Sequence, residues 1–104
     1  DDICLVNMYG ITETTVHVTY KRINENDASE IYSPIGIPIP DLSTYILDEN
    51  LHLLPPGAIG ELYIGGNGLS PGYLNRPALT EERFIKNPFQ TSSDKLNDVN
   101  SRLY

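Results

Sequence analysis

Asn7-Met8-Tyr9-Gly10-Ile11-Thr12-Glu13 is the stretch on which the reading of this chain turns. It grows out of a short, mainly apolar run, residues 3–8, that reads as a buried strand of the parallel type. Residues 9–15 then hold a glycine, three threonines and a glutamate, the composition of a strand-end loop, where functional groups concentrate. An amide, an aromatic ring, a glycine, a hydroxyl and a carboxylate thus fall close together. Such parts suit a nucleotide–magnesium site. A ring stacks on a base, and an amide reads a base edge. A glycine lets backbone approach a ligand, and a carboxylate holds a hard cation that bridges phosphates. By residue chemistry alone, the same residues also read as a polar turn with a buried Tyr9 and an exposed Glu13.

Outward from this loop, residues 14–20 are rich in β-branched and aromatic side chains and predict a second strand. Residues 21–33 are polar and predict an exposed loop. Pro34, Pro38 and Pro40 exclude a helix and a central strand, so an extended surface connection follows. Residues 44–47 are a strand candidate, Asp48-Glu49-Asn50 a turn, and residues 51–54 a returning segment. After the turn at Pro55-Pro56-Gly57, residues 59–64 alternate around Glu61 and Tyr63 as another strand. Together these segments predict a small antiparallel meander or part of a barrel. Gly65, Gly66, Gly68 and Gly72 punctuate a loop, read as tight-turn glycines because G-x-G-x-x-G is not completed. Pro77 suits the first position of a short helix near residues 77–85. Residues 87–102 show no periodicity and are read as loop. The fold class is β-rich α+β.

Composition removes several functions. The 104 residues carry a net charge of −7, which makes nucleic acid or an anionic membrane a poor general partner. No apolar run approaches the roughly 18 residues of a membrane span. Cys4 is the one cysteine, so no internal disulfide forms, and a reducing, cytoplasmic compartment is expected. Cys4, His17 and His52 have no zinc-ligand spacing. The opening, Asp1-Asp2-Ile3-Cys4-Leu5-Val6, lacks the basic-then-apolar form of a signal peptide and reads like the middle of a strand. A piece of a longer enzyme is therefore expected.

The stretch from Asn7 to Glu13, with Thr14 and Thr15 after it, resembles the fifth core motif of the adenylate-forming superfamily, Asn-any-Tyr-Gly-Pro-Thr-Glu. It is most similar to the amino-acid adenylation domains of nonribosomal peptide synthetases, with Ile11 where the family usually has proline. Gly60-Glu61-Leu62-Tyr63-Ile64-Gly65-Gly66-Asn67-Gly68-Leu69-Ser70-Pro71-Gly72-Tyr73-Leu74 resembles the sixth core motif, with Ser70-Pro71 for the common Ala-Arg. Arg76-Pro77-Ala78-Leu79-Thr80-Glu81-Glu82-Arg83-Phe84 resembles the helix that follows, and Pro34-Ile35-Gly36-Ile37-Pro38-Ile39 the link between the motifs. Tyr104 stands where the next motif begins. The family's upstream phosphate loop, amino-anchoring Asp, ribose-binding Asp and catalytic Lys fall outside these residues.

The resemblance implies a fragment of the large N-terminal subdomain: a sheet-end loop plus part of a distorted β-barrel. Residues 1–20 would be the nucleotide- and substrate-binding strand-loop-strand, 34–75 the barrel strands and Gly-rich loop, and 76–104 the short helix and polar loop. It implies ATP, AMP and Mg²⁺ as ligands. Peptidyl carrier and condensation domains are the implied partners, with phosphopantetheine on the carrier. By resemblance, Tyr9 stacks on adenine and Asn7 bonds its edge. Gly10 lines the junction of amino acid and phosphate, Thr12 contacts the α-phosphate, and Glu13 holds Mg²⁺, so that Thr12 and Glu13 carry the catalysis. Met8, Gly10, Val16 and His17 would line the substrate pocket, and the trio Met8, Val16, His17 is similar to that of threonine-activating domains. Strand alternation would turn Val16 and His17 to opposite faces, so a local twist or bulge is expected there. Two other readings are an acyl-CoA ligase and a noncatalytic β-rich binding module.

Overall fold

A computed structural model describes residues 3–104; Asp1 and Asp2, which begin the strand-like opening and the 1–20 segment, lie outside the described residues. Two antiparallel sheets carry the structure. In the first, β1 (Val6–Tyr9) pairs with β2 (Thr19–Arg22) in the register Met8 opposite Tyr20 and Tyr9 opposite Thr19. The two-residue β3 (Ile37–Pro38) adds to the far side of β2. Pro38 is tolerated because it sits on the edge strand, where one missing donor faces no ladder partner.

The second sheet has the order β4-β5-β7-β6. Its frame is the hairpin of β4 (Leu42–Leu47) and β5 (Glu61–Gly66), with Thr44 opposite Ile64. The connecting loop begins with a tight turn. Asp48 Oδ1 accepts the Asn50 and His52 amides, each at 2.8 Å, and Leu51 takes φ 63°. Leu53 then bridges back to Leu47. The last two strands, β6 (Ile85–Lys86) and β7 (Arg102–Leu103), are two residues each. Leu103 slots between Gly65 and Ile85 and is fully buried. Both sheets are open. They meet around Val18, Leu42 and Ile64, with Tyr9, Ile11, Ile39 and Leu62 packed against them. That core sits directly beneath the 10–17 loop.

Helix α1 (Pro77–Arg83) starts on Pro77, as expected, and ends at Arg83 because Ile85 is drawn into the sheet. The β-rich α+β class, the antiparallel pairing of β4 with β5 and the start of α1 agree with the sequence; residues 51–54 give only the Leu53 bridge and not a strand of a meander. Four local expectations are corrected. Residues 3–8 are not a buried parallel strand: the strand is Val6–Tyr9, it pairs antiparallel, and Leu5 is 63% exposed. An unbroken apolar run does not by itself say whether both faces are covered. Residues 14–20 are not one strand, because Thr15 and Val16 take φ 60° and 74°, which ladder pairing excludes. Residues 21–33 are not all loop: Lys21 and Arg22 extend β2. Residues 87–102 hold a second helix, α2 (Ser92–Leu96), started by a capping box in which Thr91 Oγ1 accepts the Asp94 amide at 3.0 Å and Asp94 Oδ2 accepts the Thr91 amide at 2.8 Å. Among the described residues no helix is long and apolar enough to cross a membrane.

Candidate functional site

Gly10 leaves β1 and its backbone lies against the carbonyl of Val16; a β-carbon at Gly10 would overlap that oxygen. The five residues between them therefore fold back into a closed loop. Thr12–Thr14 form one turn of 3₁₀ helix, and the Val16 amide closes the loop by donating to the Ile11 carbonyl at 3.1 Å. Thr14 is fully buried, with its hydroxyl on the same Ile11 carbonyl at 3.0 Å. The Val18 amide returns to the Tyr9 carbonyl at 2.7 Å. Left-handed backbone at a β-branched residue is costly, so Thr15 and Val16 hold it only because these bonds fix the loop from both ends.

The glycine-rich loop fastens this turn from the other side. The Thr15 hydroxyl donates to the Gly68 carbonyl at 2.6 Å, and the Ser70 amide to the Glu13 carbonyl at 2.8 Å. Glu13 Oε1 accepts two phenolic hydroxyls, from Tyr73 at 2.6 Å and Tyr104 at 3.0 Å. Among the described residues no side chain donates to Oε2. The Tyr73 bond, the carboxylate's own backbone amide and the Tyr104 bond hold Glu13 below the usual glutamate range, against a smaller opposing effect of burial. Conversely, Glu13 and then Tyr104 push the Tyr73 hydroxyl far above its ordinary value, so it stays a donor at neutral pH.

The residues named from the sequence fall into two groups. Asn7, Tyr9, Gly10, Thr12 and Glu13 follow one another along β1 and the turn. The Asn7 amide nitrogen already donates to Ser33 Oγ at 2.9 Å and the Pro34 carbonyl at 2.8 Å, which leaves its Oδ1 as the group free for a ligand. Thr12 is exposed, and Tyr9 is half-buried and packed against the core of Val18, Leu42 and Ile64. Met8 and His17 line a second region, a cavity of about 440 Å³ shared with Thr14, Ile39, Asp41 and Gly68. The His17 ring has no hydrogen-bond partner among the described residues. Val16 is 59% exposed and is not among the lining residues. The backbone leaves strand geometry at Thr15 and Val16 through left-handed φ, and this puts His17 but not Val16 on the cavity.

Tyr73 and Tyr104 were not singled out by sequence reasoning. They lie 60 and 91 residues from Glu13, and no local spacing connects them to it. Their only signal was position, within the glycine loop and at the start of the motif after it.

Magnesium fits the donor set in a particular way. Among the described residues no cluster of three or more His, Cys, Asp or Glu side chains could cage a metal ion. One carboxylate with an oxygen that no side chain among the described residues holds, on the residue after the exposed Thr12, is what magnesium uses when substrate phosphates and water supply its other ligands.

The sequence profile described as "AMP-binding enzyme" matches residues 2–74. A dimodular nonribosomal peptide synthase of Bacillus subtilis is 58% identical over 86 residues, which is 82% of this chain and 4% of that protein. Malpinin synthetase of Mortierella alpina is 58% identical over 85 residues, again 82% of this chain and 1% of that protein. A crystal structure of a four-domain nonribosomal peptide synthetase bound to AMP and glycine superimposes with a TM-score of 0.79 at 40% identity, covering 97% of this chain and 7% of that one. The N-terminal subdomain of Klebsiella oxytoca NpsA, in complex with 3-hydroxyanthranilyl-AMSN, gives 0.74 at 30% identity, covering 97% of this chain and 22% of that one. The chain thus spans a small part of the length of the proteins it matches.

Proposed function

The chain belongs to the AMP-binding enzyme family, and from that premise we propose that it is the motif-bearing part of an adenylation domain of a nonribosomal peptide synthetase. The whole enzyme would activate an amino acid with ATP and load it onto the phosphopantetheine thiol of a peptidyl carrier domain, beside a condensation domain, in the cytoplasm. The observation that carries this reading is the closed 10–17 loop, in which two phenolic hydroxyls hold one oxygen of the Glu13 carboxylate and no side chain among the described residues holds the other, with the exposed Thr12 before it in sequence and half-buried Tyr9 at the strand end. The relatives named above support it, since two are nonribosomal peptide synthetases and one of these is bound to AMP and glycine.

In the reaction, the amino-acid carboxylate oxygen attacks the α-phosphorus of ATP. A P–O bond forms as the bond to pyrophosphate breaks, giving an aminoacyl-adenylate. Tyr9 offers its ring to adenine. Asn7, its donors already used, accepts from the adenine amino group through Oδ1. Gly10 keeps the backbone low enough for the phosphate junction, and Thr12 donates its hydroxyl to an α-phosphate oxygen. Glu13 holds Mg²⁺, which when bound supplies positive charge against the phosphates. Catalysis rests on in-line positioning and charge neutralisation, so the rigidity of the loop is itself part of the chemistry.

The substrate we propose is L-threonine. Met8 gives an apolar wall for the γ-methyl group, and His17, on the same cavity with an unengaged ring, meets the β-hydroxyl. Val16, the third specificity position by resemblance, stands exposed outside the lining of this cavity and is given no part in the wall. The experiment is amino-acid-dependent ATP–pyrophosphate exchange by the intact protein across the proteinogenic amino acids. Exchange with threonine, less with serine and little with valine is expected. Exchange with fatty acids alone would point instead to an acyl-CoA ligase, and no exchange with any acid to a noncatalytic module.

A further inference from the structure

We propose that Tyr73 and Tyr104 are paired positioning residues for Glu13, holding one carboxylate oxygen so that the other is left for the magnesium ion. This rests on the reading of Glu13 as the cation-holding residue. Both hydroxyls donate to the same atom, Oε1, at 2.6 and 3.0 Å. With each single hydroxyl proton directed at Oε1, the 3.0 Å between the two phenolic oxygens follows from the shared acceptor. A glutamate side chain otherwise has considerable rotamer freedom, and two donors from separate segments remove it before any ligand arrives.

The tyrosines are themselves braced, which separates this arrangement from a casual surface contact. The Tyr73 amide donates to Thr80 Oγ1 at 2.9 Å, and its ring meets the edge of Phe84 at 5.7 Å; Thr80 lies in α1 and Phe84 just after it. Gly72, at φ 145°, has no room for a side chain beside Thr80, so the loop is seated directly on the helix. Tyr104 exchanges both backbone bonds with Ile64 at 2.8 and 2.9 Å, and its ring packs on the same Phe84 at 5.0 Å. Arg102 ties the assembly together. Its guanidinium lies 5.3 Å from the Phe84 ring centre and donates to the Pro71 and Ser70 carbonyls at 2.9 and 3.1 Å. Helix α1 and the end of β7 thus converge on one carboxylate. The short C-terminal elements, which also contribute Glu82, Arg83 and Ile85 to a cavity that Tyr9 lines, acquire a role in ordering the metal site.

The test uses Tyr73→Phe, Tyr104→Phe and Glu13→Gln, singly and combined, in the intact adenylating protein. The readout is manganese(II) affinity in the presence of α,β-methylene-ATP, followed by electron paramagnetic resonance. Removing a residue that orients a metal ligand typically weakens metal binding about 10- to 100-fold. Each Phe variant is expected to weaken manganese binding about tenfold, with exchange recovering at high magnesium and the amino-acid KM within twofold of wild type. In the Glu13→Gln background, adding either Phe should change manganese affinity by less than twofold, because the tyrosines act through Glu13. Manganese affinity within twofold of wild type in both Phe variants overturns the proposal. So does an undiminished Phe effect in the Glu13→Gln background, or failure of both Phe variants to fold, since either marks a purely structural role. If Tyr73→Phe alone unfolds, Tyr104→Phe decides. Unchanged manganese affinity in Glu13→Gln itself is a different failure: it refutes the assignment of Glu13 as the cation holder.

Discussion

The carbonyl oxygen of Val16 lies against Gly10 so closely that no side chain fits between them. This contact closes the 10–17 loop, forces the left-handed backbone at Thr15 and Val16, and sets where Thr12 and Glu13 project. An alanine at Gly10 would have to push backbone, which a flexible side chain could have avoided. Overpacking of this kind costs about 1–3 kcal/mol. Gly10→Ala is therefore expected to lower the unfolding midpoint of the adenylating protein and to reduce pyrophosphate exchange more than its stability loss accounts for. Urea unfolding beside exchange kinetics on the same sample checks both.

Glu13→Gln keeps the shape of the side chain and lets Tyr73 and Tyr104 still donate to it, but removes the charge. A drop in exchange of roughly two orders of magnitude, about 2.7 kcal/mol, is expected for losing one transition-state electrostatic contact. Amino-acid binding should be little changed, and calorimetric titration with threonine in the absence of ATP measures it separately.

His17→Ala should act on selectivity more than on rate. A buried polar group left without a partner costs about 1–3 kcal/mol, so a site that pairs the threonine hydroxyl rejects valine by roughly 5- to 150-fold. Removing the ring is expected to bring the threonine-to-valine ratio of kcat/KM close to unity. Exchange kinetics with the two amino acids measure it. Met8→Ala should loosen discrimination against larger side chains without erasing the preference for a hydroxyl.

At α2 the expectation concerns pH. The Thr91 amide, then the Thr91 hydroxyl, hold the Asp94 carboxyl below its ordinary value of 3.8. A depressed folded pKa adds stability that is fully present above the unfolded value and is lost as pH falls through the folded one. The difference in unfolding midpoint between wild type and Asp94→Asn should therefore be constant above about pH 5 and shrink as the solution is acidified below the ordinary carboxylate range. Thr91→Ala removes the cap at every pH and should cost about 1 kcal/mol.

What the sequence made legible was local. The Asp48 turn, the alternation of β5 and the start of α1 at Pro77 each depend on neighbours within a few residues, and each was readable. The capping pattern Thr91 to Asp94 was also local, but a helix as short as α2 offers no periodicity to accompany it. The β-branched composition around Thr15 and Val16 spoke for a strand. Contact with Gly10 and the bond from Thr15 to Gly68, 53 residues away, override that preference. The placement of Leu103 between β5 and β6, and the convergence of Tyr73 and Tyr104 on Glu13, depend on packing that no spacing encodes.

The central claim is that the loop between Gly10 and His17 is built to hold an adenylate and its cation. A crystal structure of the intact protein grown with AMP, threonine and magnesium tests it most directly. The account predicts the adenine ring against Tyr9 with its amino group on Asn7 Oδ1, magnesium coordinated by Glu13 Oε2, and threonine between Met8 and His17. Adenine density away from Tyr9, or a magnesium ion that does not touch Glu13, would contradict it.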